Sequence, residues 1–253
     1  MSIFNYSAGS TRQHAKLLIQ VALLISLSSA GHAGEKSATH VLFNGRDLNG
    51  WRRPTGEWMA AGKVAIDHHD PKTFSIHSGR GVLVNGAQGR TVNLISEFEH
   101  GDVEAQIEFC VPKDSNSGVY FQGRYEVQIL DSWGVAHPKY SDCGGIYERW
   151  KDNRGYEGHA PRVNASKRPG EWQTFDVIFR APRFDAAGKK SENARFVKVV
   201  HNGKVIHENV EVTGPTRAAA YESDEKAYGP LMLQGDHGPV AFRKLRLKSI
   251  QLP

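Results

Sequence analysis

The chain has 253 residues, with 32 Lys and Arg against 27 Asp and Glu and 39% apolar side chains. That length admits one large all-β domain or two smaller ones, and a charged share of 23% excludes wholesale disorder. Two cysteines, Cys110 and Cys143, permit at most one bridge and exclude a dense disulfide scaffold. The formal charge of +5 is scattered, with Arg52-Arg53 and Lys189-Lys190 the densest runs, so the basic stripe of a nucleic-acid binder is missing.

The first element is an expected export signal over residues 1–33. Arg12 and Lys16 precede an apolar run from Leu17 to Leu27, and small residues lead to Gly31-His32-Ala33. A charged region, a short apolar region and a small-x-small site predict cleavage after Ala33. The run is short for a transmembrane span, which needs about 20 apolar residues. The mature chain is therefore expected to be periplasmic or secreted, without stable membrane insertion, as one domain over residues 39–253. Export would make a Cys110–Cys143 bridge chemically permissible, and two buried thiols are equally compatible with the sequence.

From Thr39 onward the punctuation is that of a β protein, with Gly and Asn-Gly between runs rich in Val, Ile, Phe and Tyr. Over Val103 to Val111, Val103, Ala105, Ile107 and Phe109 alternate with polar residues, which places them on one core face. Phe175, Val177 and Phe179 repeat the pattern. Phe196 to His201 and Lys204 to Val212, joined by Asn202-Gly203, predict a hairpin whose two turn residues need positive φ. Val240 to Ile250 reads as a last strand, and the broken alternation of Phe242, Leu245 and Leu247 predicts a bulge. Residues 134–170 and 181–194 read as loops. Many short strands without helical crossovers imply antiparallel sheets closed into a sandwich.

The stretch richest in chemistry runs from Asn116 to Asp131. It predicts two strands joined by a tight turn at Gln122-Gly123-Arg124, with Glu126 and Gln128 on one face of the second. Residues two apart on a strand are about 6.6 Å apart, so a carboxylate and an amide there can both touch one sugar ring. Glu126 and Asp131 do not form a glycosidase pair. Their odd spacing turns them to opposite faces about 16 Å apart, against the roughly 5–9.5 Å such pairs need. A partner would have to be Asp142, Glu148 or Asp236. A second stretch, Leu231 to Pro239, reads as a buried strand ending in Asp236-His237 between glycines, and a histidine exposed at such a turn suits proton transfer. His68 and His69 are adjacent and point apart on a strand, so they make a poor metal site.

These residues also carry a resemblance. Leu42 to Trp51 (LFNGRDLNGW) resembles the opening motif of a family of exported bacterial domains named 3-keto-disaccharide hydrolase. The likeness continues through Gly101 to Glu104, Asn116 to Tyr120, Tyr125 to Asp131, Pro169 to Gln173 and Leu233 to Gly238, covering about Val41 to Leu252. It implies an all-β, concanavalin A-like jelly-roll sandwich and activity on glycosides oxidised to a ketone at C3 of the sugar. It places the site around Glu126, Gln128, Asp131 and His237, with Tyr147 after Gly144-Gly145-Ile146. Arg124, Trp133 and Asp236 are implied as substrate contacts. The stretches 148–168 and 181–194 depart from shorter relatives.

A C3 ketone acidifies the hydrogen on C2, so a base can remove it and the C1 substituent can leave by β-elimination, with water then adding back. One base, donors at the ketone oxygen and an acid for the leaving group suffice. His237 or Glu126 is the candidate base, and Gln128 or Tyr147 the candidate oxygen stabiliser, with a divalent cation as the alternative. The expected partner is a carbohydrate, and nothing in the sequence sets the oligomeric state. A non-catalytic lectin-like domain and an ordinary glycosidase remain open readings of the same fold.

Overall fold

The computed structural model describes residues 38–222 and 225–253, in which every regular element is a β-strand. The expected export signal lies outside them. In chain order the strands are β1 (Thr39–Val41), β2 (Met59–Ile66), β3 (Phe74–Val84), β4 (Leu94–His100), β5 (Val103–Cys110), β6 (Asn116–Phe121), β7 (Tyr125–Leu130) and β8 (Arg149–Lys151). The rest are β9 (Arg154–Tyr156), β10 (Gln173–Arg180), β11 (Arg183–Phe184), β12 (Lys190–Glu192), β13 (Ala194–His201), β14 (Lys204–Val212), β15 (Gly229–Leu233) and β16 (Ala241–Ser249).

They pair as the alternation predicts. An eight-stranded antiparallel sheet runs β14-β13-β10-β5-β16-β3-β2, with β1 added on β16, and a four-stranded sheet runs β4-β15-β6-β7. The two sheets form a jelly-roll sandwich. Val103, Ala105, Ile107 and Phe109 all enter the main core, as expected from period two. Asn202 and Gly203 take φ of +49° and +80°, and the β13–β14 hairpin closes on them. The bulge in β16 falls between Phe242 and Lys244, so the broken alternation had a backbone cause.

Aromatic rings join the layers. Phe179 of β10 lies 5.2 Å from the Phe121 ring, 5.5 Å from Tyr125 and 5.3 Å from Phe196. Such a ring excludes water from both inner faces, and truncating it to alanine costs about 3–5 kcal/mol.

One expectation needs correction. Residues 134–170 and 181–194 are not simply loops, because β8 pairs β9 and β11 pairs β12 within them. These strands are two or three residues long and mostly charged, too short to show a period, and Asp152 and Asn153 turn the first hairpin with positive φ. Of the two states the sequence leaves open for the cysteines, the structure has the buried free thiols, and burial pushes each up to about 12. Cys110 follows the inward Phe109 and so faces the outer side of its sheet among Val84, Phe74 and Ala241, whereas Cys143 sits in the core between the sheets.

Candidate active site on the outer face of the smaller sheet

The turn at residues 122–124 fixes the register of β6 on β7. It sets Tyr120 opposite Glu126 and Gly118 opposite Gln128. Beyond β7 the backbone of residues 144–147 adds a further, irregular row. Gly144 donates to the Gln128 carbonyl (2.8 Å), Gln128 to that of Gly145 (2.9 Å) and Tyr147 to that of Glu126 (3.2 Å). Opposite residues of an antiparallel pair share a face, so two rows cross this outer face. One reads Met232, Tyr120, Glu126, Tyr147; the other reads Gln234, Gly118, Gln128, Gly145.

Glycine is required in the second row. A Cβ on Gly118 would lie 2.0 Å from Oε1 of Glu126, and one on Gly145 would lie 2.0 Å from the Tyr140 carbonyl. The missing side chain at Gly118 thus gives the Glu126 carboxyl its place, leaning from the first row toward the second. Residues 213–220 roof one half of the face. Thr216 accepts the Glu126 amide on its hydroxyl (3.1 Å), and Ala219 packs with Tyr120 and Met232.

Glu126 and Gln128 are therefore buried on a face that an antiparallel sheet often leaves to water. Burial pushes Glu126 up to about 8; a hydrogen bond with Tyr120 opposes this and the charge of Asp236 adds to it. Near neutrality the group is a carboxylic acid and a proton donor. Tyr120 is raised well above its ordinary range by burial and then by Glu126. Its hydroxyl also reaches the Arg217 carbonyl at 3.4 Å, so a protonated Glu126 can donate to Tyr120 while Tyr120 donates onward. The Gln128 side-chain oxygen accepts the Ile129 amide (3.1 Å), leaving its NH2 as the free end. Oε1 of Gln234 and Oδ1 of Asn116, on the same face, are buried without a partner. Buried acceptors without donors are rare in folded proteins and are met by ligand hydroxyls where a ligand binds.

Tyr147 stands beside Glu126 in the first row, and Asp236 lies close enough for its charge to act on Glu126 and Tyr120. The loop after β15 is pinned through its backbone: Asn85 donates to the carbonyls of Gly235 (3.1 Å) and Gly238 (2.9 Å), and Ser115 to that of Pro239 (2.6 Å). The pinned backbone leaves the Asp236 and His237 side chains half exposed, with Asp236 Oδ1 2.6 Å from His237 Nδ1. Tyr147 is raised by burial and by the charges of Glu126 and Glu148.

Residues 38–248 match the family described as the 3-keto-alpha-glucoside-1,2-lyase-like domain. The chain belongs to that family. The motif resemblance is thereby borne out. Three solved structures from Parabacteroides distasonis ATCC 8503, each provisionally described as a glycosyl hydrolase, share the fold. One is 26% identical with a TM-score of 0.57, covering 85% of this chain and 86% of that one. The second is 20% identical, TM-score 0.54, covering 84% and 100%. The third is 15% identical, TM-score 0.54, covering 85% and 95%. No curated protein matches the chain.

Within this lyase-like domain Glu126, Gln128 and Tyr147 lie in adjacent rows, Asp236 acts on Glu126 by charge, and His237 bonds Asp236. It sets three other candidates apart. Asp131 accepts the amides of Asp114 (3.0 Å) and Trp133 (3.3 Å) on its two oxygens and closes the end of β7. Trp133 is 52% exposed with Arg168 stacked on it. Arg124 is buried at the far end of the hairpin, over the Tyr221 ring. Tyr120, Asn116 and Gln234 were not singled out from the sequence. The signal for Tyr120 was present, since a turn centred on Gly123 sets it opposite Glu126. Among the described residues no three His, Cys, Asp or Glu side chains gather closely enough to hold a metal ion. A depression of about 400 Å3 on the far side of the larger sheet has a different character. Its Glu104 is exposed and paired with Lys248 at 2.9 Å.

Proposed function

We propose that this domain cleaves glycosides whose sugar carries a C3 ketone, by elimination across C1 and C2 followed by hydration. The observation that carries the reading is the buried Glu126, held as an acid beside a free Gln128 amide and unmet acceptors, with the half-exposed Asp236-His237 pair on the adjoining loop. In this reading His237, oriented by Asp236, takes the C2 proton. The electron pair moves to the ketone oxygen as an enolate, where the Gln128 NH2 and the Tyr147 hydroxyl donate. Its return forms the C1–C2 double bond, the bond from C1 to the leaving oxygen breaks, and Glu126 protonates that oxygen. Water adding at C1 completes net hydrolysis.

A titrating group at the floor of the face favours an enzyme over a non-catalytic binding module, since strongly perturbed carboxyls gather at working sites. The test is incubation with methyl 3-keto-glucoside and with methyl glucoside, following methanol release. The reading expects release from the oxidised compound alone. Equal cleavage of both would overturn it in favour of an ordinary glycosidase, with Asp236 or Glu148 as the second carboxylate.

A further inference from the structure

The β8–β9 hairpin helps to build a cavity beside the candidate site. The β8–β9 hairpin and residues 215–222 enclose about 380 Å3, lined by Arg149, Trp150, Tyr156, Thr216, Arg217 and Glu222 among others. That is within the usual range of small-molecule pockets. The cavity shares a wall with the candidate active site. Thr216 accepts the Glu126 amide, the Arg217 carbonyl is within reach of the Tyr120 hydroxyl, and the Arg217 guanidinium stands 3.6 Å from the Glu148 carboxylate. Glu148 in turn bonds Tyr140, whose ring meets that of Tyr147 edge-on at 5.8 Å between centroids.

The lining is made of flat groups. Arg217 stacks on the Trp150 ring at 3.8 Å and Arg149 on the Tyr156 ring at 5.1 Å. Trp150 is nonetheless 44% exposed. Arg149 bonds Thr213 and Glu157 through one terminal nitrogen and keeps its buried Nε unpartnered, and Arg217 faces Glu148. These walls are dominated by aromatic rings and guanidinium planes. A planar aromatic ring needs stacking surface, and they offer that, with the exposed Glu222 carboxylate at the rim as an acceptor for a phenolic hydroxyl.

We propose that this cavity is the leaving-group subsite and that it takes an aromatic aglycone. The assignment rests on the function proposed above, and its test separates the two. Wild type, Trp150→Ala and Trp150→Phe are assayed on 2-naphthyl and methyl 3-keto-glucosides and on a 3-keto-disaccharide, and binding of free 2-naphthol is measured by calorimetry. Comparing each variant with wild type removes the intrinsic reactivity of the leaving groups. The ratio of kcat/KM for naphthyl over methyl substrate should fall about tenfold in Trp150→Ala and be largely kept in Trp150→Phe. Naphthol binding should be lost only in the alanine variant. An unchanged ratio, or naphthol bound equally by wild type and Trp150→Ala, would overturn the subsite. A disaccharide as sensitive to Trp150 as the naphthyl compound would overturn its aromatic assignment. If no 3-keto-glucoside is cleaved, the function proposed above fails, while naphthol binding still decides whether the cavity takes an aromatic ring.

Discussion

Replacing Glu126 by glutamine should stabilise the protein while removing its acid, and the gain should depend on pH. The unfolded chain releases the Glu126 proton near the ordinary value of 4.5, whereas burial holds it in the folded chain to about 8. Between those values the unfolded state binds fewer protons, so stability falls as pH rises, by about 1.4 kcal/mol per pH unit. Glutamine has the same shape, bonds Tyr120 equally well and carries no such dependence. The difference between variant and wild type should therefore grow by about 3 kcal/mol from pH 5 to pH 7.5 and level off above about 8. For a domain of this size that is roughly 5–10 °C in Tm. Urea unfolding of both proteins across this range reads it directly, because every other titrating group cancels in the difference. Parallel stability curves, or a glutamine variant weaker at pH 8 than wild type, would refute the reasoning. Wild-type turnover should also decline as pH rises through about 8, where the acid is lost.

Four further outcomes follow. Burial holds His100 and His207 near 4 and His201 near 3, below the ordinary value of 6.5, so each stays neutral in the fold near neutrality. Their contribution is complete above 6.5 and is lost as pH falls from there toward their folded values, which denaturation of the Glu126→Gln variant reads between pH 6.5 and about 5, above the range in which the paired carboxylates are protonated. Gly118→Ala places a methyl where the Glu126 carboxyl sits and should lower kcat at least tenfold, with a stability loss of about 1–3 kcal/mol by urea unfolding. Asp102→Asn should destabilise by about 3 kcal/mol in the same assay, since it leaves Arg183 half-buried without its carboxylate. N-terminal sequencing of the exported protein should begin near Gly34.

Much of the layout was legible because strand residues obey parity. Glu126 and Gln128 share a face, Phe109 and Cys110 part to opposite sides of their sheet, and Asn202-Gly203 makes its turn, all from spacing alone. What was not legible lies in the roof. Arg217 meets Glu148 across 69 positions, a contact carried by no period or motif. Residues 144–147 join the sheet only because Gly145 lets the Tyr140 backbone pass. The outer-face acceptors of Asn116 and Gln234 become conspicuous only when burial is known, since from sequence a polar residue on an outer face is unremarkable.

Two buried carboxylates show how structure and site separate. Burial alone would raise Asp102, yet Arg183 at 2.7 Å and the amides of Ala181 and Leu252 overcome it and hold the group below its ordinary value. Every lone pair there is met, and the charge ties the end of β4 and β5 to the C-terminal residues. Glu126 has no cation and no backbone amide, only a tyrosine hydroxyl, with another carboxylate nearby. A sequence selected for stability alone would place an apolar residue at that position, as it does at Val127 and Ile129 on the other face. Local choices that disagree with their surroundings persist where function requires them. The free Gln128 amide and the unmet Gln234 oxygen disagree with theirs in the same two rows, and three such exceptions within two rows of one sheet face mark a site built for a polar ligand.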